Sequence, residues 1–498
     1  MTFFVAAEEY FAKMVKSLRG KAAKESHLDN LEYNLSKEAR ELARLLLQGH
    51  IDSRSNTNIG ASVISAEGVN LNHKRKMQRH LYTVFGKVNI KRVGYSKRGH
   101  NSIFPLDASL NLPSGWFSYG MQQMVAREIA KGSFEESLLT IERLTGVRIG
   151  KRQALDIVNQ CAMDFDAFYQ EQLLTTQEGK VDKTSLMILT TDGKGIVMRS
   201  NGLREETRKC QEESNQKLKH RLCKGEKGNR KRMAQVASIY FIDRFIRTPK
   251  DITNEFLRKK AMQTRPRPLR KRVWASVEKK SSEVILELFS EAQKRDPKHC
   301  KEWVVLVDGH GYQLSEIKKN AKKLGVKITI ILDIVHVIEY IWDAAHLLFD
   351  ESSQSCENWV GTKLLDVLNS NGRKVAGSIR MSAAKRDLSE KQKKQAETCA
   401  NYLTKNKQYI AYKTYLQKGY PIGTGVIEGT CRYLVKDRMD ITGARWGVEG
   451  AEAILRLRSI TKSNDFENYW NFHLKQEFEK NHVSKYQNID QICTAFSS

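Results

Sequence analysis

The sequence predicts an α/β protein with a mixed β-sheet flanked by helices. Between residues 184 and 342, short strand-like apolar runs alternate with amphipathic helical segments. On both sides of that region the apolar residues recur mainly at helical spacing. The 498 residues, 40% of them apolar, provide enough material for roughly two to four domains with cores of their own.

The first 116 residues predict two regions. Residues 1–52 form a helical region, because apolar residues recur at helical spacing through EARELARLLLQGH, and Gly49 marks its stop. Residues 53–116 form a basic, β-rich region. It opens with a polar linker, and HLYTVFGKVNIKRVGYSK then predicts a hairpin around Gly86.

The predicted hairpin is crowded with basic side chains, and tyrosine and phenylalanine are interleaved with them. A basic β-ribbon of this kind is a candidate DNA-contacting surface, with a solvated hairpin as the alternative. The residues that we select as candidate DNA contacts here are Lys74, Arg75, Lys76 and Arg92.

Residues 117–180 predict a helical region that resembles a helix-turn-helix. Ser133 followed by Glu136 is a capping signature, and Gly146 ends the first helix. The second helix would carry Arg148, Lys151 and Arg152 near its start, where recognition helices meet DNA. Many helical pairs have no such role, so DNA contact here is one of two interpretations.

Residues 184–342 predict the core domain. Three strands come first, in SLMILTTDGKGIVM, QVASIYFI and KRVWASVE. A helix over about 282–295, the strand WVVLVDG, the helix YQLSEIKKNAKKLG and the strand KITIILD follow. This order of elements is that of the RNase H-like fold, a mixed sheet with flanking helices.

The rest of the chain is predicted to be helical. Residues 343–420 form a polar helical insertion, and residues 421–498 form a C-terminal helical part of the core domain. Two basic segments interrupt the core: residues 204–232 hold 11 Lys or Arg against 5 Glu, and residues 258–272 hold 8 and no acid. Such runs are either solvated loops or phosphate contacts.

The net charge of +27, from 84 Lys and Arg against 57 Asp and Glu, indicates a polyanionic partner. A membrane is a poor candidate, because the longest apolar stretch, KITIILDIVHVIEYIW, is short and is broken by charged residues. The first residues do not match a signal peptide, and the eight scattered cysteines form no zinc-binding pattern. We therefore expect a soluble cytoplasmic protein that binds nucleic acid.

Two acids follow apolar strands in the same way. MILTTDGKG places Asp192 at the end of one run, and VVLVDGHG places Asp308 at the end of another. Each is followed by a glycine, which permits close approach of a ligand or of backbone. Adjacent strand ends would bring both carboxylates to one edge of the sheet, although a turn-closing role is the alternative for each.

Carboxylates gathered in this way suit phosphodiester chemistry with two divalent metal ions. We predict Mg²⁺, with Mn²⁺ as a substitute, because hard oxygen ligands suit both. Glu428, in the segment PIGTGVIEGTCRYLVKDRM, is the candidate third carboxylate, and Glu449 and Glu452 are its rivals. Lys194 is a candidate phosphate contact or a solvent-facing lysine.

Asp333 and His336 form a second-rank pair. Asp333 ends the strand KITIILD, and His336 follows three residues later. The pair is an accessory part of the site, or else Asp333 caps the helix that follows.

At these residues the sequence resembles the transposases of the Kra-type insertion sequences, relatives of the Mutator-like transposases. The resemblance runs over nearly the whole chain and is carried by long, unusual segments. Those segments include LTTDGKGIVMR, VVLVDGHGYQL, ILDIVHVIEYIW and PIGTGVIEGTCRYLVKDRMDITGARWGVEGAEAILRLR.

The resemblance implies an RNase H-like catalytic domain whose Asp, Asp, Glu triad is Asp192, Asp308 and Glu428. Asp333 and His336 match the Cys/Asp-x-x-His signature that follows the second acid. The implied reaction is metal-dependent cleavage at the ends of an insertion sequence, followed by strand transfer into target DNA. Double-stranded DNA, a homodimer or larger assembly, and a location at the nucleoid of the bacterial cytosol are implied with it.

Two other functions stay open at this point. A different RNase H-like DNA nuclease would share the triad but cleave without strand transfer. A non-catalytic DNA-binding regulator derived from a transposase would bind DNA and ignore metal. The sequence has neither a GxxxxGK[ST] phosphate loop nor a GxSxG motif, which argues against ATP use and against an α/β-hydrolase.

Overall fold

The computed structural model describes residues 3–55, 59–171, 184–214, 226, 228–258, 264–351, 353–441 and 443–496. The chain divides into two units. The N-terminal unit comprises Met1–Gln172 together with Asn464–Ser498, and the central unit comprises Leu173–Ser463. The predicted region 421–498 is therefore divided after residue 463, because its last helices pack with the N-terminal unit.

Three helices, four strands and five further helices make up the first part of the N-terminal unit. They are α1 (Val5–Arg19), α2 (Lys21–Glu25), α3 (Leu28–Ser55), β1 (Val63–Ile64), β2 (Asn70–Leu71), β3 (His73–Thr83), β4 (Gly86–Ser96), α4 (Pro105–Ser109), α5 (Tyr119–Lys131), α6 (Phe134–Thr145), α7 (Lys151–Cys161) and α8 (Phe165–Glu171).

The central unit holds five strands and twelve α-helices among its described residues. They are β5 (Leu186–Val197), α9 (Glu205–Glu212), β6 (Lys231–Ile242), α10 (Pro249–Phe256), β7 (Leu269–Ser276), α11 (Ser281–Arg295), β8 (Trp303–Val307), α12 (Gly311–Leu324), β9 (Ile328–Leu332), α13 (Ile334–His346), α14 (Gln354–Leu368), α15 (Gly372–Ala384), α16 (Glu390–Lys405), α17 (Tyr412–Gln417), α18 (Gly425–Thr430), α19 (Asp437–Met439) and α20 (Val448–Lys462).

Two helices, α21 (Phe466–Asn481) and α22 (Ile489–Ala495), complete the N-terminal unit. They join its core: Tyr469 donates a hydrogen bond to the carbonyl of Cys161 at 2.7 Å, and Tyr486 packs against Leu71 and Tyr95. The chain therefore returns to the first unit after completing the second.

The predicted stop at Gly49 is wrong, because α3 continues through it to Ser55. Gly49 is buried where the start of the chain crosses the helix. A Cβ at this position would lie 2.7 Å from the carbonyl oxygen of Phe3 and 2.9 Å from the ring of Phe4. The glycine permits this close packing, and the helix does not end there.

The hairpin around Gly86 is confirmed: β3 and β4 pair antiparallel over their full lengths, from His73 opposite Ser96 to Thr83 opposite Gly86. The helical pair α6 and α7 is confirmed as well. The Ser133 hydroxyl accepts from the amide of Glu136 at 3.2 Å, and Gly146 ends α6 with a φ of +72°.

The central unit is α/β, built on one five-stranded mixed sheet with the order β7-β6-β5-β8-β9. The first three strands along the chain pair antiparallel, while β8 lies parallel to both β5 and β9. The predicted order of the five strands and of α11 and α12 is confirmed, whereas α9 and α10, which lie between the first three strands, were not predicted. All five residues of β8 are buried, which explains why its sequence is continuously apolar.

The predicted boundary at 342/343 falls inside α13, which runs on to His346. The described residues between 343 and 420 are nevertheless mainly helical, as predicted, and form α14 to α17. Two of its tyrosines hold the sheet: Tyr402 donates to the carbonyl of Asp308, and Tyr412 donates to that of Leu332, each at 2.8 Å. In the described part of the chain, no helix is long and apolar enough to cross a membrane.

Candidate functional site

Three aspartates lie on or directly after three neighbouring strands of the central sheet, and together they form the aspartate row. The parallel registers of β5 with β8 and of β8 with β9, continued by one or two residues, place Asp192 beside Asp308 and Asp308 beside Asp333. Neighbouring strands lie about 4.8 Å apart, and residues in register share a face of the sheet. The sequence indicates two members of this row, because the pentapeptides WVVLV and ITIIL directly precede Asp308 and Asp333.

Asp192 lies within β5 and not at its end, which corrects the prediction. The strand continues for five residues beyond it, paired with β6. The carboxylate of Asp192 accepts from the amide of Gly193 at 2.6 Å and from the thiol of Cys431 at 3.3 Å. Burial and the negative charge of Asp192 raise the pKa of the Cys431 thiol, so Cys431 remains a proton donor at neutral pH.

Asp308 follows β8 directly, as predicted, and is half-buried. Its Oδ1 accepts from the amide of His310 at 2.9 Å, and its own carbonyl is held by Tyr402. Gly309 has a φ of +91°, and a Cβ there would lie 3.0 Å from the side-chain amide of Asn406. Both facts require glycine after Asp308, so backbone geometry and packing explain why Gly309 occupies this position.

Asp333 is fully buried and caps α13, where its Oδ1 accepts from the amide of Val335 at 3.1 Å. The cap interpretation is thereby confirmed. The same carboxylate accepts the amide of Thr424 at 3.0 Å and also the Thr424 hydroxyl. Ile334 donates to the carbonyl of Ile422 at 2.9 Å, next to these bonds. Asp333 therefore fastens the segment that precedes Glu428 to the end of β9.

Glu428 lies on α18, four residues after Thr424, and is exposed. The Thr424 hydroxyl lies 3.3 Å from Oε1 of Glu428 while it also bonds Asp333. A hydroxyl has one proton, so it donates to one of these carboxylates at a time. Although the residue is exposed, partial desolvation of its carboxyl group and the negative charge of Asp333 raise the pKa of Glu428, while Thr424 and His336 lower it.

The two rivals of Glu428 occupy α20. Glu452 is buried and accepts from the amide of Val277 at 2.8 Å and from the hydroxyl of Ser276 at 3.0 Å. Those bonds close the end of β7, so Glu452 has a structural role. Glu449 is exposed in the first turn of the same helix. Of the three, Glu428 is the glutamate linked to the aspartate row, through Thr424.

His336 is half-buried on α13, and its Nδ1 lies 2.9 Å from Glu339 Oε2. Burial lowers the pKa of His336, but the bond to Glu339 and the charges of Asp333, Glu339 and Asp308 outweigh it, so the net pKa is raised. The histidine therefore lies within electrostatic reach of the row. Lys194 is half-buried on β5, and its positive charge acts on Cys431.

Across the described ranges, no three His, Cys, Asp or Glu side chains are arranged to hold one metal ion. The carboxylates of Asp192, Asp308 and Glu428 make hydrogen bonds to protein groups instead. Their oxygen atoms are nevertheless the hard donors that Mg²⁺ and Mn²⁺ prefer. The chemistry of the donor set fits such an ion, although the side chains do not form a coordination shell.

A π-helical stretch, Cys431–Lys436, follows α18 and sets the position of the Cys431 thiol. π-helical turns are rare in proteins, and those that occur often lie at functional sites. Arg458, buried on α20, donates to the carbonyls of Leu434 at 2.7 Å and of Tyr433. Burial lowers the pKa of Arg458 to about 10, so it remains charged at neutral pH and holds the two carbonyls.

An open cleft of about 620 Å³ lies beside β6 and the first turn of α12 in the central unit. Its wall includes Gln235, which faces Gly193 across β5 and β6, and Tyr312 from the first turn of α12. The other residues that line it are mostly charged: Arg204, Glu205, Glu206, Lys209, Lys280 and Ser281. Its cations suit phosphate, and Tyr312, 52% exposed, offers a stacking surface.

The two basic segments, residues 204–232 and 258–272, have different positions in the structure. The first contributes Arg204 and Lys209 to the cleft, although residues 215–225 and 227 lie outside the described residues. The second, of which residues 259–263 lie outside them too, ends in β7. There Arg272 pairs with the buried Glu291 at 2.5 Å, which is a structural ion pair.

The candidate DNA contacts on the hairpin divide into two groups. Lys74, Arg75 and Lys76 are exposed on β3. Arg92 is different: its side chain is 12% exposed, it pairs with Asp107, and its guanidinium lies 3.8 Å from the centre of the Phe104 ring. The selection of Arg92 as a DNA contact is therefore wrong, because Arg92 is held within the N-terminal unit.

The cations near the start of α7 are exposed. Arg148 lies in the turn before the helix, Lys151 pairs with Glu135 at 3.1 Å, and Arg152 lies 3.5 Å from Asp156. Exposed pairs of this kind contribute little free energy, about 0–1 kcal/mol. They therefore leave these cations able to exchange a carboxylate for a phosphate.

Comparison with known proteins gives no assignment: no protein-family model matches the chain, and no curated protein matches it.

Proposed function

We propose that the protein is a DDE-type DNA transposase of an insertion sequence, and that its central unit is an RNase H-like catalytic domain. The observation that carries the proposal is the position of Asp192 on β5 and of Asp308 and Asp333 directly after the neighbouring parallel strands β8 and β9. Glu428 follows four residues after Thr424, which bonds Asp333. The strand order β7-β6-β5-β8-β9 supports it, since three antiparallel strands precede two parallel ones.

In this proposal Asp192, Asp308 and Glu428 hold the divalent metal ions, Mg²⁺ or Mn²⁺. The bound ions supply an activated nucleophile and stabilise the leaving oxygen of the phosphodiester. The protein supplies position. Asp333 and Thr424 hold the segment that carries Glu428, and Cys431 holds one oxygen of Asp192.

Binding of double-stranded DNA is the second part of the proposal. Its support is the net charge of +27, the exposed cations Lys74, Arg75 and Lys76, and the cations near the start of α7. The cleft beside Gln235 and Tyr312 would take a strand near the carboxylates, with its cations on phosphates and Tyr312 against a base. His336 would contribute positive charge next to the carboxylates.

The test is cleavage and strand transfer on DNA taken from the boundaries of the element that carries the gene. The parent is compared with Asp192→Asn, Asp308→Asn and Glu428→Gln, with Mg²⁺ and with chelator. Glu449→Gln is the matched control, because it removes an exposed carboxylate from α20. We expect the first three variants to lose both reactions by at least about 10³-fold while DNA binding persists, and the control to remain active.

The other outcomes separate the competing functions. Metal-dependent cleavage without strand transfer, lost in the same variants, would indicate an RNase H-like nuclease. DNA binding without any metal-dependent reaction in the parent would indicate a regulator and would contradict the proposal. Activity that survives in Glu428→Gln alone would remove Glu428 from the site.

A further inference from the structure

A second cavity in the central unit, of about 530 Å³, is not used by the proposed reaction. Its wall is formed by the end of β6, by α10 and α13, and by the segment that precedes Glu428. Sites for small molecules are usually cavities of about 300–1,000 Å³ with mostly apolar walls and a few polar groups. The volume of this cavity therefore suits a small organic molecule.

Apolar side chains cover most of the wall. Six of them are only half-buried, so part of their surface is left uncovered: Ile242, Phe245, Ile252, Phe256, Ile338 and Pro421. A molecule with an apolar, ring-bearing body would cover this surface, because burial of apolar surface and contact between rings both favour binding.

A buried cation, Arg247, also belongs to this wall. It is 8% exposed, and its Nε is buried without a hydrogen-bond partner among the residues that the structure describes. Its Cζ lies 4.9 Å from the centre of the Phe245 ring. Burial lowers the pKa of Arg247 to about 10, so the side chain remains charged at neutral pH. A buried N–H group without an acceptor is unfavourable, and an anionic group in the cavity would supply that acceptor.

The other charges around the cavity limit the charge of its occupant. Arg265 pairs with Glu255 at 3.1 Å, and Asp243 accepts from the Ser185 hydroxyl at 2.7 Å. Two cations and two acids line the cavity, so its wall carries no net charge. DNA needs an excess of cations, which this wall lacks. A molecule with one negative charge fits better, because that charge would meet Arg247.

We propose that this cavity is a binding site for a small aromatic carboxylate or sulfonate. The rings fill the apolar part of the cavity, and the anionic group accepts a hydrogen bond from Arg247. The site goes beyond the proposed function, and binding does not depend on it.

The position of the cavity gives the bound molecule a route to the candidate catalytic residues. Ile334 and Gly425, which line the cavity, directly follow Asp333 and Thr424. A bound molecule would therefore contact both segments that the Asp333–Thr424 hydrogen bonds join. Any effect on Glu428 through these contacts rests on the proposed function.

The test uses two fluorescent probes with the same rings, the monoanion anilinonaphthalenesulfonate and the uncharged N-phenylnaphthylamine. Each is titrated into the full-length parent, Arg247→Met, Arg247→Lys and Ile252→Trp. Arg373→Met is the matched control, because it removes an exposed arginine from α15 of the same unit. Far-UV circular dichroism checks that each variant keeps the helix content of the parent.

We expect the parent and the control to bind both probes. Arg247→Met should weaken binding of the charged probe by about 10–100-fold and that of the uncharged probe by less than about 3-fold. Arg247→Lys keeps the charge, so it should bind the charged probe more tightly than Arg247→Met does. Ile252→Trp should weaken binding of both probes, because the larger side chain occupies the cavity.

Three results would overturn the site. They are a parent that binds neither probe, a charged probe that binds Arg247→Met as tightly as the parent, and a loss of binding in Arg373→Met equal to that in Arg247→Met. The last would show that net charge and not the cavity attracts the probe. Each of these results would leave the catalytic proposal intact, because none of the substituted residues belongs to the candidate triad.

Discussion

At the scale of single residues, the candidate site is organised around the buried carboxylate of Asp333. It accepts hydrogen bonds from two amides and one hydroxyl, and the donors come from α13 and from the segment before α18. A buried carboxylate without such donors would be strongly unfavourable. Asp333 and Thr424 therefore define where Glu428 can lie relative to Asp308.

Thr424→Val tests this arrangement by removing the hydroxyl that lies between the carboxylates of Asp333 and Glu428. Removing the hydroxyl takes away the single proton that Thr424 can donate to Asp333 or to Glu428. We therefore expect Mn²⁺ affinity and the cleavage rate to fall by about 10–100-fold, with the fold retained. Thr398→Val is the matched control, because the Thr398 hydroxyl bonds only the carbonyl of Lys394 within α16. Equal rates in parent and Thr424→Val would contradict the role of Thr424.

A second residue-scale prediction concerns the N-terminal unit. Burial lowers the pKa of His482 to about 4, and its Nε2 donates to the carbonyl of Leu112 at 2.9 Å. The unfolded imidazole takes up a proton near pH 6.5, whereas the folded one does so near pH 4. The stability contributed by neutral His482 is therefore present above pH 6.5 and is lost as the pH falls towards 4.

Thermal unfolding at pH 7 and pH 5 measures this effect. Discounted for solvent screening, the loss at pH 5 is on the order of 1–2 kcal/mol. His482→Gln keeps a donor but cannot be protonated, so its unfolding temperature should fall less than that of the parent between the two pH values. The same fall in both proteins would exclude His482 as the cause.

The sequence was sufficient to select Asp192, Asp308 and Asp333, because each follows an apolar run that forms a strand. It could not reveal Thr424 or Cys431 as partners of those acids, since their contacts join segments 91 and 239 residues apart. Arg92 was misassigned for the same reason. Its partner Asp107 lies on another element, and a basic strand alone does not distinguish a paired cation from a free one.

At the scale of elements, the β3–β4 hairpin contains both kinds of basic residue: exposed cations and a cation that is paired with an acid. In the outer part of β3, residues 73–78 are exposed on both faces of the strand. Lys74, Arg75 and Lys76 belong to this part, whereas Arg92 on β4 is ion-paired. The exposed part is therefore the candidate for backbone contact with DNA.

The triple substitution of Lys74, Arg75 and Lys76 by alanine tests that candidate. Each lost phosphate contact should reduce the salt dependence of binding, so the slope of log K against log salt should become shallower by roughly 2–3. Replacing the exposed Lys391, Lys393 and Lys394 of α16 provides the control with the same change in charge. An unchanged slope in the triple variant would place DNA elsewhere.

Helices and strands were predicted well where the spacing of the apolar residues and the length of the segment indicate the same element. All five strands, together with α11 and α12, follow the apolar pattern of the central unit, whereas α9, which has no buried residue, and α10 were not predicted. The errors fall where tertiary contact overrides local signals. Gly49 marks a helix crossing, β5 continues past Asp192 because β6 pairs with it, and α13 extends past residue 342.

At the scale of the whole molecule, the chain leaves the N-terminal unit, forms the central unit and then returns. The described residues after 463 are mainly helical like the region before them, so composition alone gave no reason to separate them. Their assignment depends on contacts with residues more than 300 positions away, such as that of Tyr469 with Cys161. The central unit is therefore inserted into the N-terminal one.

Mn²⁺ binding to the full-length chain tests whether Asp192, Asp308 and Glu428 together hold divalent metal. Electron paramagnetic resonance can follow free Mn²⁺ during titration of the parent, of Asp192→Asn, Asp308→Asn and Glu428→Gln, and of the control Glu449→Gln. This measurement requires no knowledge of the DNA substrate.

We expect the parent to bind Mn²⁺ and Mg²⁺ to compete for the same site. Each of the three variants should weaken binding by at least about 10-fold, whereas Glu449→Gln should not. A parent that binds no Mn²⁺, or variants that bind it as tightly as the parent, would show that these three acids do not form a metal site.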